Sequence, residues 1–277
     1  MINYTERLTL LMQDVVARVP TLSFIDVRDV LVFARAGRST AEGAYATCHC
    51  LTLPASEPGY YFWRDHETGR ITRRSEWFVT RSPRVTVSGR PIQYLISFAL
   101  PRYCDQSLDR SRKERFYHPD EEPWMAKLDT VIHELYHIAP DLQGIRRIDR
   151  GDGTYSANCH GHHFFSQVAD MVQTYLSTNP DPSLYEFLRY DFEQLEKLYG
   201  GVIGTSFRTF PSFPQRYIEP LADQPPPPKD PELHGVDVEP VRCRRQPTLY
   251  TEDDLHVRHF TRETSRRLLR KGAFRAA

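Results

Sequence analysis

The apolar positions change period along the chain, and the changes divide it into elements. Leu8, Leu11, Met12, Val15, Val16 and Val19 recur at spacings of three and four. That predicts one face of an amphipathic helix over 6–19, stopped by Pro20. From about 24 to 104 the pattern shortens. Runs at 27–35, 44–53, 60–64, 71–80, 85–87 and 92–103 are rich in Val, Ile, Thr and aromatics, with Gly, Pro and Ser between them. Short strands are expected there. Most of Ile92-Gln93-Tyr94-Leu95-Ile96-Ser97-Phe98-Ala99-Leu100 is apolar, as in a strand covered on both faces.

Helical periodicity returns after a charged stretch at 105–122. Asp120-Glu121-Glu122-Pro123 puts acids where a helix N-terminus favours them. The helix is expected over 121–139, with Leu128, Ile132, Leu135 and Ala139 as its buried stripe and Pro140 at its end. A polar connection over 140–158 contains Gly144, Gly151 and Gly153. A second helix, over 161–177, buries Phe164, Val168, Met171, Val172 and Tyr175, and Asn179-Pro180-Asp181-Pro182 breaks it. A third spans 183–199 and is closed by Gly200-Gly201. Gln224-Pro225-Pro226-Pro227-Pro228-Lys229-Asp230-Pro231 then reads as a stiff linker. Residues 241–277 hold ten basic and four acidic residues, a net +6 that compensates an acidic body. The expected fold is α+β. A small mixed or antiparallel sheet from 24–104 packs on the helix at 121–139, and further helices follow. The expected organisation is a domain over 1–222, a linker over 223–240 and a basic tail over 241–277.

Composition narrows the function. The 277 residues are 40% hydrophobic and 26% charged, with 15 Tyr and 15 Phe, which describes a folded chain. Lys plus Arg equal Asp plus Glu at 36 each, so no overall charge draws it to nucleic acid or to an anionic membrane. No apolar run approaches a membrane span, and no secretory leader pattern opens the sequence. Five cysteines, Cys48, Cys50, Cys104, Cys159 and Cys243, make an odd count. Free thiols in a cytoplasmic protein are expected. No Cys-x-x-Cys pair, phosphate loop, dinucleotide fingerprint or Gly-x-Ser-x-Gly elbow is present.

The stretch that carries chemistry is His133-Glu134-Leu135-Tyr136-His137. Two histidines four apart on a helix share one face and can share a metal. Glu134 sits one step round, within reach of a metal-bound water without ligating the metal. Zinc held by three protein ligands keeps a fourth position for water and lowers its pKa to about 7. A chance copy of the motif need not fall inside a helix with an apolar stripe opposite, and this one does. A third ligand is offered by Cys159-His160-Gly161-His162-His163-Phe164 at the start of the next helix. Both His160 and His162 are candidates.

These two segments resemble the zincin metallopeptidases, and most of all the SprT-like (Spartan-like) and bacterial putative-metallopeptidase branch. That branch pairs a His-Glu-x-x-His helix with a His-Gly-x-x-Phe/Trp motif opening the next helix, matched here by His160-Gly161-His162-His163-Phe164. The resemblance covers 120–176. It implies one Zn²⁺ held by His133, His137 and His160, Glu134 as general base, and a protein or peptide substrate. It favours His160 over His162 because Phe164 then falls at the matching position. The gap from His137 to His160 is longer than the family's compact spacing, and the C-terminal zinc ribbon of many members is missing.

Other residues are candidates for supporting roles. Asp129 or Asp170 can accept a hydrogen bond from the second ring nitrogen of a ligand histidine, although a plain exposed or capping acid is the simpler account of each. Tyr136 can stabilise an oxyanion, although a core tyrosine of the amphipathic helix is the plainer account. The strand at 92–100 can pair with an extended peptide. Cys48-His49-Cys50 invites a second metal, although alternation along a strand sends His49 to the face opposite the cysteines, and packed thiols are simpler. Cys159 can act as a switch thiol, although a packed thiol is the plainer account. The basic tail, with Arg258, Arg262, Arg266, Arg267, Arg270, Lys271 and Arg275, can take nucleic acid or an acidic partner; a solvated helix is the plainer account. Besides a peptidase, the sequence leaves open a metal-bearing binding module and a DNA-associated protease recruited through that tail.

Overall fold

The protein is described by a computed structural model, over residues 1–39, 43–109, 111, 113–118, 122–150, 152–156, 160–208, 213–242 and 247–262. Among these residues it is a mixed α+β fold of four α-helices and several small sheets of two or three strands.

Helix α1, Tyr4–Arg18, starts where the Asn3 side chain accepts the Glu6 N–H at 3.3 Å. It buries Tyr4, Leu8, Leu11, Met12, Val15 and Val16. The sheet that carries the site has three strands in the order Val30–Gly37, Tyr94–Pro101, Ala46–Cys50. The central strand runs parallel to Val30–Gly37 and antiparallel to Ala46–Cys50. All eight of its residues are buried. Tyr94, Ile96, Phe98 and Leu100 join the main core with the helices. Leu95 joins a second core with Phe33, Val85, Ile92, Phe207 and Tyr250. The nearly continuous apolar run therefore has a cause: both faces are covered. Gly37 lies so close to the central strand that a Cβ there would sit 2.5 Å from the Ala99 Cβ.

Helix α2, Met125–Tyr136, starts later than the acidic cluster suggests. The Glu122 carboxylate accepts the Trp124 indole N–H at 2.5 Å and pairs with Arg189 instead of capping the helix. Asp120 and Glu121 lie outside the described residues. Leu128, Val131, Ile132 and Leu135 are fully buried. α3 spans His162–Ser177. The helix expected over 183–199 is interrupted. Two 3₁₀ turns, Pro182–Leu184 and Glu186–Arg189, come first. Asp191 then caps a new helix, α4, Phe192–Tyr199, in a capping box with Gln194.

The stretch expected to be linker and tail adds strands to the body. Asp237–Glu239 pairs with Ile71–Ser75, and Leu249–Tyr250 with Arg84–Val87. Leu255–Phe260 pairs along its length with Val202–Phe207. Arg258 thus lies on a strand and not on a solvated helix. Residues 263–277 lie outside the described residues. Among those described, no helix is long and apolar enough to cross a membrane.

Candidate metal centre

The last turn of α2 carries His133, and His137 is the residue that caps the helix C-terminus. Their Nε2 atoms are 3.1 Å apart. His160 immediately precedes Gly161, the N-cap of α3, and brings its Nε2 to 3.0 Å from that of His137. One ligand atom from each of the three lies within 4.8 Å of the others. Ligands about 2.0–2.1 Å from a tetrahedral zinc stand about 3.3 Å apart, and the two separations to His137 fall within a few tenths of an ångström of that spacing. Phe164, fully buried, supports all three rings, with centroid distances of 4.8 Å to His133, 5.2 Å to His137 and 5.1 Å to His160. The Tyr136 hydroxyl donates to Gln167 at 2.8 Å. That bond clasps α2 to α3 and holds the two ligand-bearing segments together.

Burial controls protonation here. Desolvation, with Lys113 next, pushes His133 well below its ordinary pKa. Desolvation, then His160 and Arg146, lowers His137 to about 4. Both rings are neutral near pH 7, and the tautomer protonated at Nδ1 offers its Nε2 lone pair to a cation. The Nδ1 atoms of His133 and His137 are buried with no hydrogen-bond partner among the described residues. The outer support of these rings is therefore aromatic packing and not a carboxylate. The carboxyl of Glu134 is raised to about 7 by burial, against the opposing effects of Lys113, the Cys48 backbone N–H and Arg35. It lines a cleft of about 280 Å³ with the three histidines, Thr47 and Cys48. A larger cleft of about 540 Å³ continues past His133 and Glu134 between Ala44–Ala46 and the segment from Asp105 to Lys113.

The structure places the other candidates elsewhere. The ring of the exposed His162 lies 4.9 Å from that of Phe116, outside the cluster. Asp129 is held by Lys113 and by the Tyr117 hydroxyl at 2.7 Å, and Asp170 is exposed on α3. Tyr136 donates its hydroxyl to Gln167, and its ring lies 4.2 Å from the Arg146 guanidinium. The strand at 92–100 has neighbours on both sides, so it offers no edge to a peptide; the outer strands are Val30–Gly37 and Ala46–Cys50, and the latter borders the site. Cys48 and Cys50 pack towards the main core, while His49 lies 4.7 Å from Phe213 on the other face. The histidine triad is the sole group of metal-ligating side chains found among the described residues. Arg262 pairs with Asp105 at 3.1 Å. Cys159, Cys243, Arg266, Arg267, Arg270, Lys271 and Arg275 lie outside the described residues.

Two residues that serve the site were not singled out in the sequence. Lys113 sits in an unpatterned charged run, and Arg146 in a polar connection; neither position carries a periodic signal. Comparison of the chain with family models, with curated proteins and with solved structures finds no match.

Proposed function

We propose that this chain is a zinc-dependent metallopeptidase of the zincin type, binding one Zn²⁺ through His133, His137 and His160. The reading rests on one observation above all: a buried carboxylate, Glu134, shares a cleft with three converging imidazole nitrogens. A site for metal storage or structure has no use for that carboxylate. A divalent cation there supplies Lewis acidity, lowering the pKa of water and polarising a carbonyl.

The chain's own residues do the rest. The Glu134 carboxylate accepts a proton from water in the cleft and returns it to the departing amine. Burial raises this carboxyl in the metal-free chain, and its ionised, proton-accepting form is the one favoured beside a bound cation. The free edge of Ala46–Cys50 borders the same cleft, and an extended peptide can lie along it as an added strand. Elemental mass spectrometry on the full chain, combined with cleavage of an unfolded protein substrate, tests the reading. About one zinc per chain and cleavage that depends on Glu134 are expected. A folded chain that neither holds nor takes up zinc would refute it, and zinc without cleavage would leave a binding module.

A further inference from the structure

We infer that Arg146 is a positioning residue that fixes His137, an inference that rests on the metal reading above. His137 stands just past the last residue of α2, where backbone carbonyls lose their helical N–H partners. Arg146 supplies donors to two of them in succession. Its side-chain Nε donates to the Tyr136 carbonyl at 2.7 Å. Its backbone N–H donates to the His137 carbonyl, also at 2.7 Å. The guanidinium lies 4.2 Å from the centre of the Tyr136 ring and 5.8 Å from that of Phe24. An arginine stacked on a ring is held flat. Tyr136 reaches on to Gln167 of α3. Arg146 therefore holds Tyr136 at the end of the helix between the first two ligands, and Tyr136 in turn reaches the helix that follows the third.

The segment that delivers Arg146 is itself anchored. Ile138 and Ile145 form an antiparallel bridge. Between them the Leu142 carbonyl accepts the Thr52 hydroxyl, and the Gly144 carbonyl accepts the Tyr94 hydroxyl, each at 2.8 Å. The reversal uses left-handed backbone at Leu142 (φ 58°) and Gly144 (φ 100°). This loop ties the end of α2 to the site-bearing sheet before the chain reaches Arg146. The guanidinium is partly buried, and its Nη2 has no hydrogen-bond partner among the described residues. Such a group contributes poorly to stability for its own sake, which separates its role from plain packing. Helix ends fray. A ligand that must be ordered when the metal arrives weakens binding by the entropy of that ordering. Arg146 orders His137 in advance.

The test is zinc affinity of the full chain, by competition with a chromophoric chelator, in wild type, Arg146→Met, Arg146→Lys and the exposed neighbour control Arg147→Met. Arg146→Met should bind zinc about 10–100-fold more weakly, the range seen when the support of a metal ligand is removed. The visible spectrum of its Co²⁺ form should change as the ligand geometry loosens. Arg146→Lys should recover part of the loss, and Arg147→Met should bind as wild type does. Affinity and cobalt spectrum of Arg146→Met indistinguishable from wild type would overturn the inference. If that variant does not fold, Arg146→Gln is judged by the same criteria. A wild-type chain that takes up no zinc overturns the metal reading and this inference with it. Wild-type binding with unaffected Arg146 variants overturns this inference alone.

Discussion

The ammonium of Lys113 rests against the carboxylate of Asp129, one helical turn before His133. It also donates to the Thr130 hydroxyl at 2.6 Å and to the Ala126 carbonyl at 3.3 Å. The acid that helical spacing offers to the first histidine is thus used to hold the segment that walls the larger cleft. Side-chain exposure is 13% for Lys113 and 2% for Asp129, so the pair is desolvated. Lys113→Met strands a buried carboxylate and should cost about 3–5 kcal/mol in urea denaturation. The double variant Lys113→Met/Asp129→Leu should recover much of that loss. A double-mutant cycle with no coupling would show that the pair contributes nothing beyond its packing.

Glu134 allows two results to be separated in one variant. In Glu134→Gln, zinc content should match wild type while peptide cleavage is lost. In the metal-free chain the same carboxyl titrates at about 7 instead of near its ordinary 4.5. A raised folded-state pKa favours folding fully below the unfolded value, and the benefit is lost as pH rises through about 7. The metal-free wild type should therefore lose roughly 3 kcal/mol from this group between acid and neutral pH. Glu134→Gln should remove that slope. Parallel stability profiles for the two metal-free chains would contradict the burial assigned to the carboxyl.

The assignment of the third ligand is a thermal-shift experiment. A ligand at a hundred times its dissociation constant stabilises the native state by about 2.7 kcal/mol. Zinc should raise the midpoint of wild type and of His162→Ala by the same amount, and should leave His160→Ala unmoved. A shift that survives in His160→Ala and vanishes in His162→Ala would exchange the two roles.

Gly37 tests the scaffold separately from the site. The Cβ that Gly37→Ala adds would meet the Ala99 Cβ at 2.5 Å, which forces two paired strands apart. Destabilisation of about 1–3 kcal/mol is expected, with zinc binding retained in the folded fraction. Wild-type stability in that variant would mean that the strands can separate without loss.

Where the sequence was informative, a single physical rule governed the position. The stripe of α1 was visible because its core side never changes. The eight buried residues of Tyr94–Pro101 read as a continuous run for the same reason. The His133, His137 and His160 cluster rested on spacing and resemblance, and three dimensions add the convergence of the Nε2 atoms. The start of α2 was misplaced because Glu122 is taken by Trp124 and Arg189, a tertiary choice that no local pattern records. Which strand forms an edge is not legible in the sequence, because a strand's neighbours are set by topology. Leu255–Phe260 was overlooked because a charge count over a long segment hid a six-residue strand. Lys113 and Arg146 act through contacts distant in sequence or across a loop, where propensity is silent.

The strand Val202–Phe207 joins parts of the chain made at very different times. It pairs with Ile2–Asn3 on one side and with Leu255–Phe260 on the other. During synthesis Ile2–Asn3 must wait for residue 202 before pairing with it, and Leu255–Phe260 can pair only after residue 260 has emerged. Loop-closure entropy must be met before those contacts form. Until then α1 and the site-bearing sheet stand without one flank of their support. The nascent protein should spend that interval as an incomplete core whose open strand edges are the points at which it aggregates or meets a chaperone.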